Sequence, residues 1–83
     1  KKMDGIIENL RNIDGVEIAL FMYETAKDEH KVSLRSINAD VSSIATALGG
    51  GGHMRAAGAT VHGKADELLE NTILPMIKKE LNG

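Results

Sequence analysis

Four consecutive glycines, Gly49-Gly50-Gly51-Gly52, constrain this chain more than any other stretch. Each glycine loses more backbone entropy on folding than any other residue, so the run calls for something that needs bare backbone. One reading makes Gly49 the left-handed cap of a preceding helix and the others plain loop. A second turns successive N–H groups toward one concavity, where an anion can approach without meeting a Cβ. His53 and Arg55 follow directly and would add side-chain donors at the same place. The run does not fit a P-loop, because His53 stands where Lys and Ser or Thr are required.

The flanking segments read as an α/β domain, a small mixed sheet of three or more strands packed with about three helices. Val16 to Tyr23 is nearly all apolar and predicts a central strand, with Val16, Ile18, Leu20 and Met22 on one face and Ala19, Phe21 and Tyr23 on the other. Glu24 to His30 predicts a hairpin-like connection with its tip near Lys27-Asp28-Glu29. Lys31 to Ile37 alternates, placing Val32, Leu34 and Ser36 on one side and Lys31, Ser33, Arg35 and Ile37 on the other. Val41, Ile44, Ala45 and Leu48 form a helical stripe over 41–48 with Asp40 as N-cap. After the glycines, the small residues Arg55-Ala56-Ala57-Gly58 predict a tight turn of helix whose positive end lies at His53 and Met54. A short strand, Ala59 to His62, follows.

The two ends read as helices. Met3, Ile6, Ile7, Leu10 and Ile13 recur at helical spacing and predict a helix over 2–12, so that residues 1–13 form the end of a linker helix from an upstream domain. Ala65, Leu68, Leu69, Ile73, Met76, Ile77 and Leu81 continue a stripe through 64–81, which Pro75 should kink or break near Leu74.

Eighty-three residues make one domain, and 42% hydrophobic residues with one Phe, one Tyr and no Trp imply an aliphatic core and little for bases to stack on. The absence of cysteine excludes a disulfide framework and thiolate metal sites and agrees with a cytoplasmic setting. No segment has the length of a transmembrane helix, and no membrane partner is expected. A net charge of −2 argues against sequence-independent binding to long nucleic acid. Lys31, Arg35, Arg55 and Lys64 nevertheless give residues 31–64 a net charge of +3, which suits a small anionic ligand. The three histidines have no ligand spacing, so no metal is expected in this chain, and His30 and His62 read as solvent residues. No serine has a base beside it, and no catalytic residue is assigned.

The string GGGGHMRAAG, preceded by Val32-Ser33-Leu34-Arg35-Ser36 and a short amphipathic helix, resembles the C-terminal, DHH-associated domain of the DHH phosphoesterases. The resemblance runs from near Asp14 to Val61. It implies that Arg35, Gly50, Gly51, Gly52, His53 and Arg55 hold a substrate's phosphate or nucleotide. It further implies that a separate N-terminal domain carries the Asp-His-His motif and two manganese ions, since this chain contains no Asp-His-His. The Ala56-Ala57-Gly58 ending is most similar to enzymes that degrade short oligoribonucleotides and dephosphorylate adenosine 3′,5′-bisphosphate, a branch with exopolyphosphatase-like relatives. Partners implied are such a nucleotide, the N-terminal DHH domain and a second copy in a homodimer. On this reading the 83 residues alone are inactive. A cyclic-dinucleotide phosphodiesterase domain and a nucleic-acid-binding module of the kind that ends alanyl-tRNA synthetases are the alternatives.

Overall fold

The structure, a computed structural model, describes residues 5–82. Five strands form one sheet: β1 (Gly5–Arg11), β2 (Glu17–Ala26), β3 (Glu29–Ile37), β4 (Gly51–His53) and β5 (Ala56–His62), in the order β1-β2-β3-β5-β4. Every pairing is antiparallel, where a mixed sheet was expected. The difference follows from the connections. β1–β2, β2–β3 and β4–β5 are joined by short turns, which can only return a chain antiparallel. Helix α1 (Ser42–Ala47) enters between β3 and β4, and α2 (Ala65–Leu68), a π-helical turn (Leu69–Ile73) and α3 (Leu74–Leu81) complete the chain.

The core lies on one face of the sheet. Ile18, Leu20 and Met22 of β2, Val32 and Leu34 of β3, and Ala59 and Val61 of β5 are buried there. Val41, Ile44 and Ala45 around α1 and Leu69, Ile73, Ile77 and Leu81 of the C-terminal helices cover them. No helix among the described residues is long and apolar enough to cross a membrane.

The expected helix over 2–12 is a strand from Gly5 onward; residues 2–4 lie outside the described residues. Exposure alternates along β1, with Ile6 and Leu10 half-buried while Ile7 is 74% exposed. Ile13, the last member of the presumed helical stripe, is 99% exposed in the turn after it. A helical spacing of five apolar residues was therefore coincidental. Pairing with the apolar edge of β2 satisfies the backbone of Gly5–Arg11 and decides the conformation, so the linker-helix reading fails over these residues.

Asn12 fixes the turn into β2. Its side-chain oxygen accepts from the N–H groups of Asp14 (2.9 Å) and Val16 (3.0 Å), and its amide donates to the carbonyl of Leu81 (2.6 Å). The first hairpin is thereby tied to the end of α3.

At the C-terminus, Ala65, Leu69, Ile73, Ile77 and Leu81 recur every four residues. In a pure α-helix each step of four would rotate the stripe by about 40° and wind it off the sheet. The π-helical turn over Leu69–Ile73 is wider and takes up that drift. It ends just before Pro75, which has no N–H to donate to the preceding turn, so the break expected near Leu74 falls where the sequence places it.

Candidate functional site

Among the described residues no helix lies on the opposite face of the sheet, whose residues fall into rows set by strand register. Side chains directly opposite in an antiparallel pair point to the same face. One row runs His53–Ala56–Arg35–Ala19–Asn9 and the next Gly51–Gly58–Ser33–Phe21–Ile7. A third holds Thr60, Lys31, Tyr23 and Gly5. Arg35 and His53, 18 positions apart in sequence, thus share a row with only Ala56 between them, about 10 Å apart at two strand spacings. Both are exposed, and Ala56, Gly58 and Ser33 leave the floor between them nearly bare.

The glycine segment presents this arrangement through three different constraints. Gly49 ends α1 with φ +93°, its N–H donating to the Thr46 carbonyl at 3.0 Å. Gly50 passes so close to β5 that a Cβ would lie 2.1 Å from the Gly58 carbonyl oxygen. Gly52 has φ +143°, and a Cβ there would lie 2.6 Å from Ala57 Cα. Gly51 is different. It has no positive φ, and a Cβ would meet nothing within 4 Å. Three glycines are explained by the fold itself, and the fourth faces open space over the small-residue floor.

The run is not the uniform cradle of donors that its composition suggests. The Gly50 N–H is committed to the Ala45 carbonyl at 2.7 Å, and residues 51–53 are a strand paired with β5. Nor does a helix begin at His53 and Met54, because Ala56 and Ala57 belong to β5 and Met54-Arg55 form the two-residue turn of the β4–β5 hairpin. Small side chains there serve close strand packing: a Cβ on Gly58 would lie 2.9 Å from the Val32 carbonyl oxygen. Neither turn residue has positive φ, so the hairpin lacks the twist of the primed turns that suit long ribbons, and β4 stops after three residues.

Arg55 is placed apart from Arg35 and His53. Its carbonyl accepts from Ser36 N (3.0 Å) while its side chain borders a separate groove of about 550 Å³ with Asn38, Asp40 and Glu80. Lys31, which alternation already put on the face of Arg35, lines a cleft of about 420 Å³ with Gly49, Gly50, Gly51 and Gly58. Phe21 and Tyr23 also share this face, their ring centroids 5.3 Å apart. The signal that could have found all three was the period-2 alternation of β2 and β3 read together.

His30 is not a solvent residue. It lies on the core face of β3, 6% exposed, and its Nδ1 has no hydrogen-bond partner. The strand begins at Glu29 instead of Lys31, which carries His30 into the alternation of Val32 and Leu34. His62 does sit outside, 3.5 Å from a Glu29 carboxylate oxygen. Among the described residues no group of three or more His, Cys, Asp or Glu converges on a point that could hold a metal ion.

Comparison with known families decides the lineage: the DHHA1 domain matches residues 1–80. The chain belongs to the DHHA1 domain family. Three relatives of this DHHA1 domain carry the name bifunctional oligoribonuclease and PAP phosphatase NrnA. The protein from Mycoplasma pneumoniae is 40% identical over 57 residues, covering 69% of this chain and 18% of its own. That from Mycoplasma genitalium is 37% identical over 70 residues, 84% of this chain and 21% of its own. The Thermus thermophilus protein is 33% identical over 79 residues, 94% of this chain and 24% of its own. This DHHA1 domain therefore spans about a fifth of the length of these relatives, from 18% to 24%.

Proposed function

We propose that this domain is the substrate-binding part of a DHH-family phosphoesterase and grips the phosphate of a short oligoribonucleotide or of adenosine 3′,5′-bisphosphate on its helix-free sheet face. The observation that carries the reading is the shared row of Arg35 and His53 over Ala56, with Gly51 open beside it. Guanidinium presents two parallel donors to phosphate oxygens, and a central strand paired on both sides holds it in place. His53 adds a second donor from β4, and Lys31 adds positive charge at the adjoining cleft. Gly51 lets a phosphate approach without meeting a side chain. Arg55 takes a peripheral part, and Gly50 and Gly52 act by letting β4 lie close to β5.

An open sheet face cannot by itself exclude water from a reaction. The hydrolytic chemistry belongs to an N-terminal DHH domain, where two manganese ions would supply the Lewis acid, and the role of the present residues is to fix the substrate against it. Positioning of this kind can contribute several kcal/mol toward a reaction barrier, about 7 at the lower end for well-oriented groups. The relatives' names support the substrate class, and the family match supports the division of labour between two domains.

The test is an amide-shift titration of the chain with adenosine 3′,5′-bisphosphate. Shifts confined to Gly51, His53, Arg35 and their neighbours, lost in Arg35→Ala and His53→Ala, are the expected result. Shifts clustered instead around the groove of Arg55, Asn38 and Asp40 would move the binding site off the helix-free face to that groove beside Leu81 at the end of α3.

A further inference from the structure

Phe21, in the row next to Arg35 and His53, and Tyr23, one row further along β2, form an aromatic pair that the phosphate reading leaves without a task. Phe21 is 38% exposed on the helix-free face, although it lies between the buried Leu20 and Met22 in an otherwise apolar strand. Its ring reaches over Gly5, where a Cβ would meet Phe21 Cε1 at 3.2 Å, and it lies 5.3 Å from the Tyr23 ring at a tilt of 39°. Ile7, directly opposite Phe21 and 74% exposed, extends the apolar surface. Between Phe21 and β4 its row contains only Ser33 and Gly58, so nothing bulky separates that ring from the glycine cleft, while Tyr23 has Lys31 beside it on that side.

We propose that Phe21 and Tyr23 form a base-stacking platform beside the phosphate site, so that this face holds a nucleotide by its base as well as by its phosphate. The inference rests on the phosphate reading above and adds the base to it. Phe21 stands one row along and one strand across from Arg35, about 7 Å by about 5 Å and so about 8 Å between the two positions, within the reach of a nucleotide from phosphate to base. A cationic row beside Phe21, with Tyr23 next along the same strand, thus matches a ligand with an anionic end and a π-face. Stacking on aromatic side chains is tolerant of base identity, which suits a domain that must accept any short oligoribonucleotide. Lys31 lies directly opposite Tyr23, on the glycine-cleft side of the rings, and adds positive charge near the ribose and any second phosphate.

One Phe and one Tyr make the ring resonances of Phe21 and Tyr23 unambiguous. The chain is titrated in parallel with adenosine 3′,5′-bisphosphate and with ribose 5-phosphate, which has no base. Both ligands should shift Arg35 and His53, and only the nucleotide should move the Phe21 and Tyr23 ring protons upfield. Phe21→Leu should weaken nucleotide binding about tenfold and leave ribose 5-phosphate unaffected. Phe21→Trp should restore the affinity, with thermal melts confirming that both variants fold. If the two ligands bind equally and Phe21→Leu changes neither, the platform is overturned while the phosphate site stands. If neither ligand shifts Arg35 or His53 at millimolar concentration, the phosphate site falls and the platform with it.

Discussion

Gly52 faces Ala57 across the β4–β5 pair with no room for a side chain between them: a Cβ would lie 2.6 Å from Ala57 Cα and 2.8 Å from the Ala56 carbonyl oxygen. Gly52→Ala combines that clash with a left-handed φ of +143° and should destabilise the domain by roughly 3 kcal/mol. The corresponding drop in Tm is more than about 10 °C for a domain of this size. Gly51→Ala, one residue earlier, should leave Tm nearly unchanged, within about 0.5 kcal/mol, and weaken adenosine 3′,5′-bisphosphate binding instead. Thermal melts and titrations of the two proteins separate a glycine the fold requires from one that the proposed ligand site would require.

Arg35 is exposed and makes no ion pair among the described residues, so its replacement should not unfold the chain. Arg35→Ala should reduce nucleotide affinity by about 10- to 100-fold, the range for a lost hydrogen-bonded charge. Arg35→Lys should recover only part of it, because an ammonium cannot present two parallel donors. Calorimetric titration of the three proteins gives the ranking.

Asp40 accepts hydrogen bonds from the Ser42 hydroxyl, which is the main influence holding its carboxyl below the ordinary range near 3.8, and from the Ser42 and Ser43 backbone N–H groups. A carboxyl lowered by folding adds stability that is complete above its unfolded pKa and fades as pH falls through the folded one. Denaturation followed from pH 5 down to pH 2, a window of about three units around the ordinary aspartate value, should therefore show a smaller loss in Asp40→Asn than in the parent. Asp40→Ala should be less stable even at neutral pH, since the start of α1 loses its acceptor.

His30 should be the reverse of a stabilising residue. Its buried Nδ1 has no partner, and burying an unsatisfied polar atom costs about 1–3 kcal/mol. His30→Leu, of similar volume on the face of Val32 and Val61, should raise Tm by several degrees, read by calorimetry.

What the sequence made legible was whatever local patterning alone decides. The alternation of Ile18, Leu20 and Met22 against Ala19, Phe21 and Tyr23 identified β2 and both its faces, and the same period put Arg35 opposite Leu34 in orientation. Pro75 marked the break in the last helix. Segments whose conformation depends on a distant partner were not legible. Gly5–Arg11 has both a helical and an alternating pattern, and only pairing with β2 chooses between them. Ala56-Ala57-Gly58 has the composition of a helix turn, yet its small side chains answer to β4 and to the Val32 carbonyl. The site followed the same division. The resemblance to the DHH-associated domain names Arg35, His53 and Arg55 together, whereas the shared row of the first two, and the separation of Arg55 from it, come from a register that no local pattern encodes.

Strand order gives the two sides of the ligand face unequal stiffness. Arg35 stands on the middle strand of five, hydrogen-bonded on both sides, while His53 stands on a three-residue edge strand paired on one side only. The hairpin tip beside it is pinned by two bonds, from Val41 N to the Met54 carbonyl (2.8 Å) and from Ser36 N to the Arg55 carbonyl (3.0 Å). On the proposed function, a ligand drawn between Arg35 and His53 would meet one jaw held on both sides and one held on a single side. Adjustment to phosphates of different reach would then fall to β4, within the limits set by the close approach of Gly50 and Gly52 to β5.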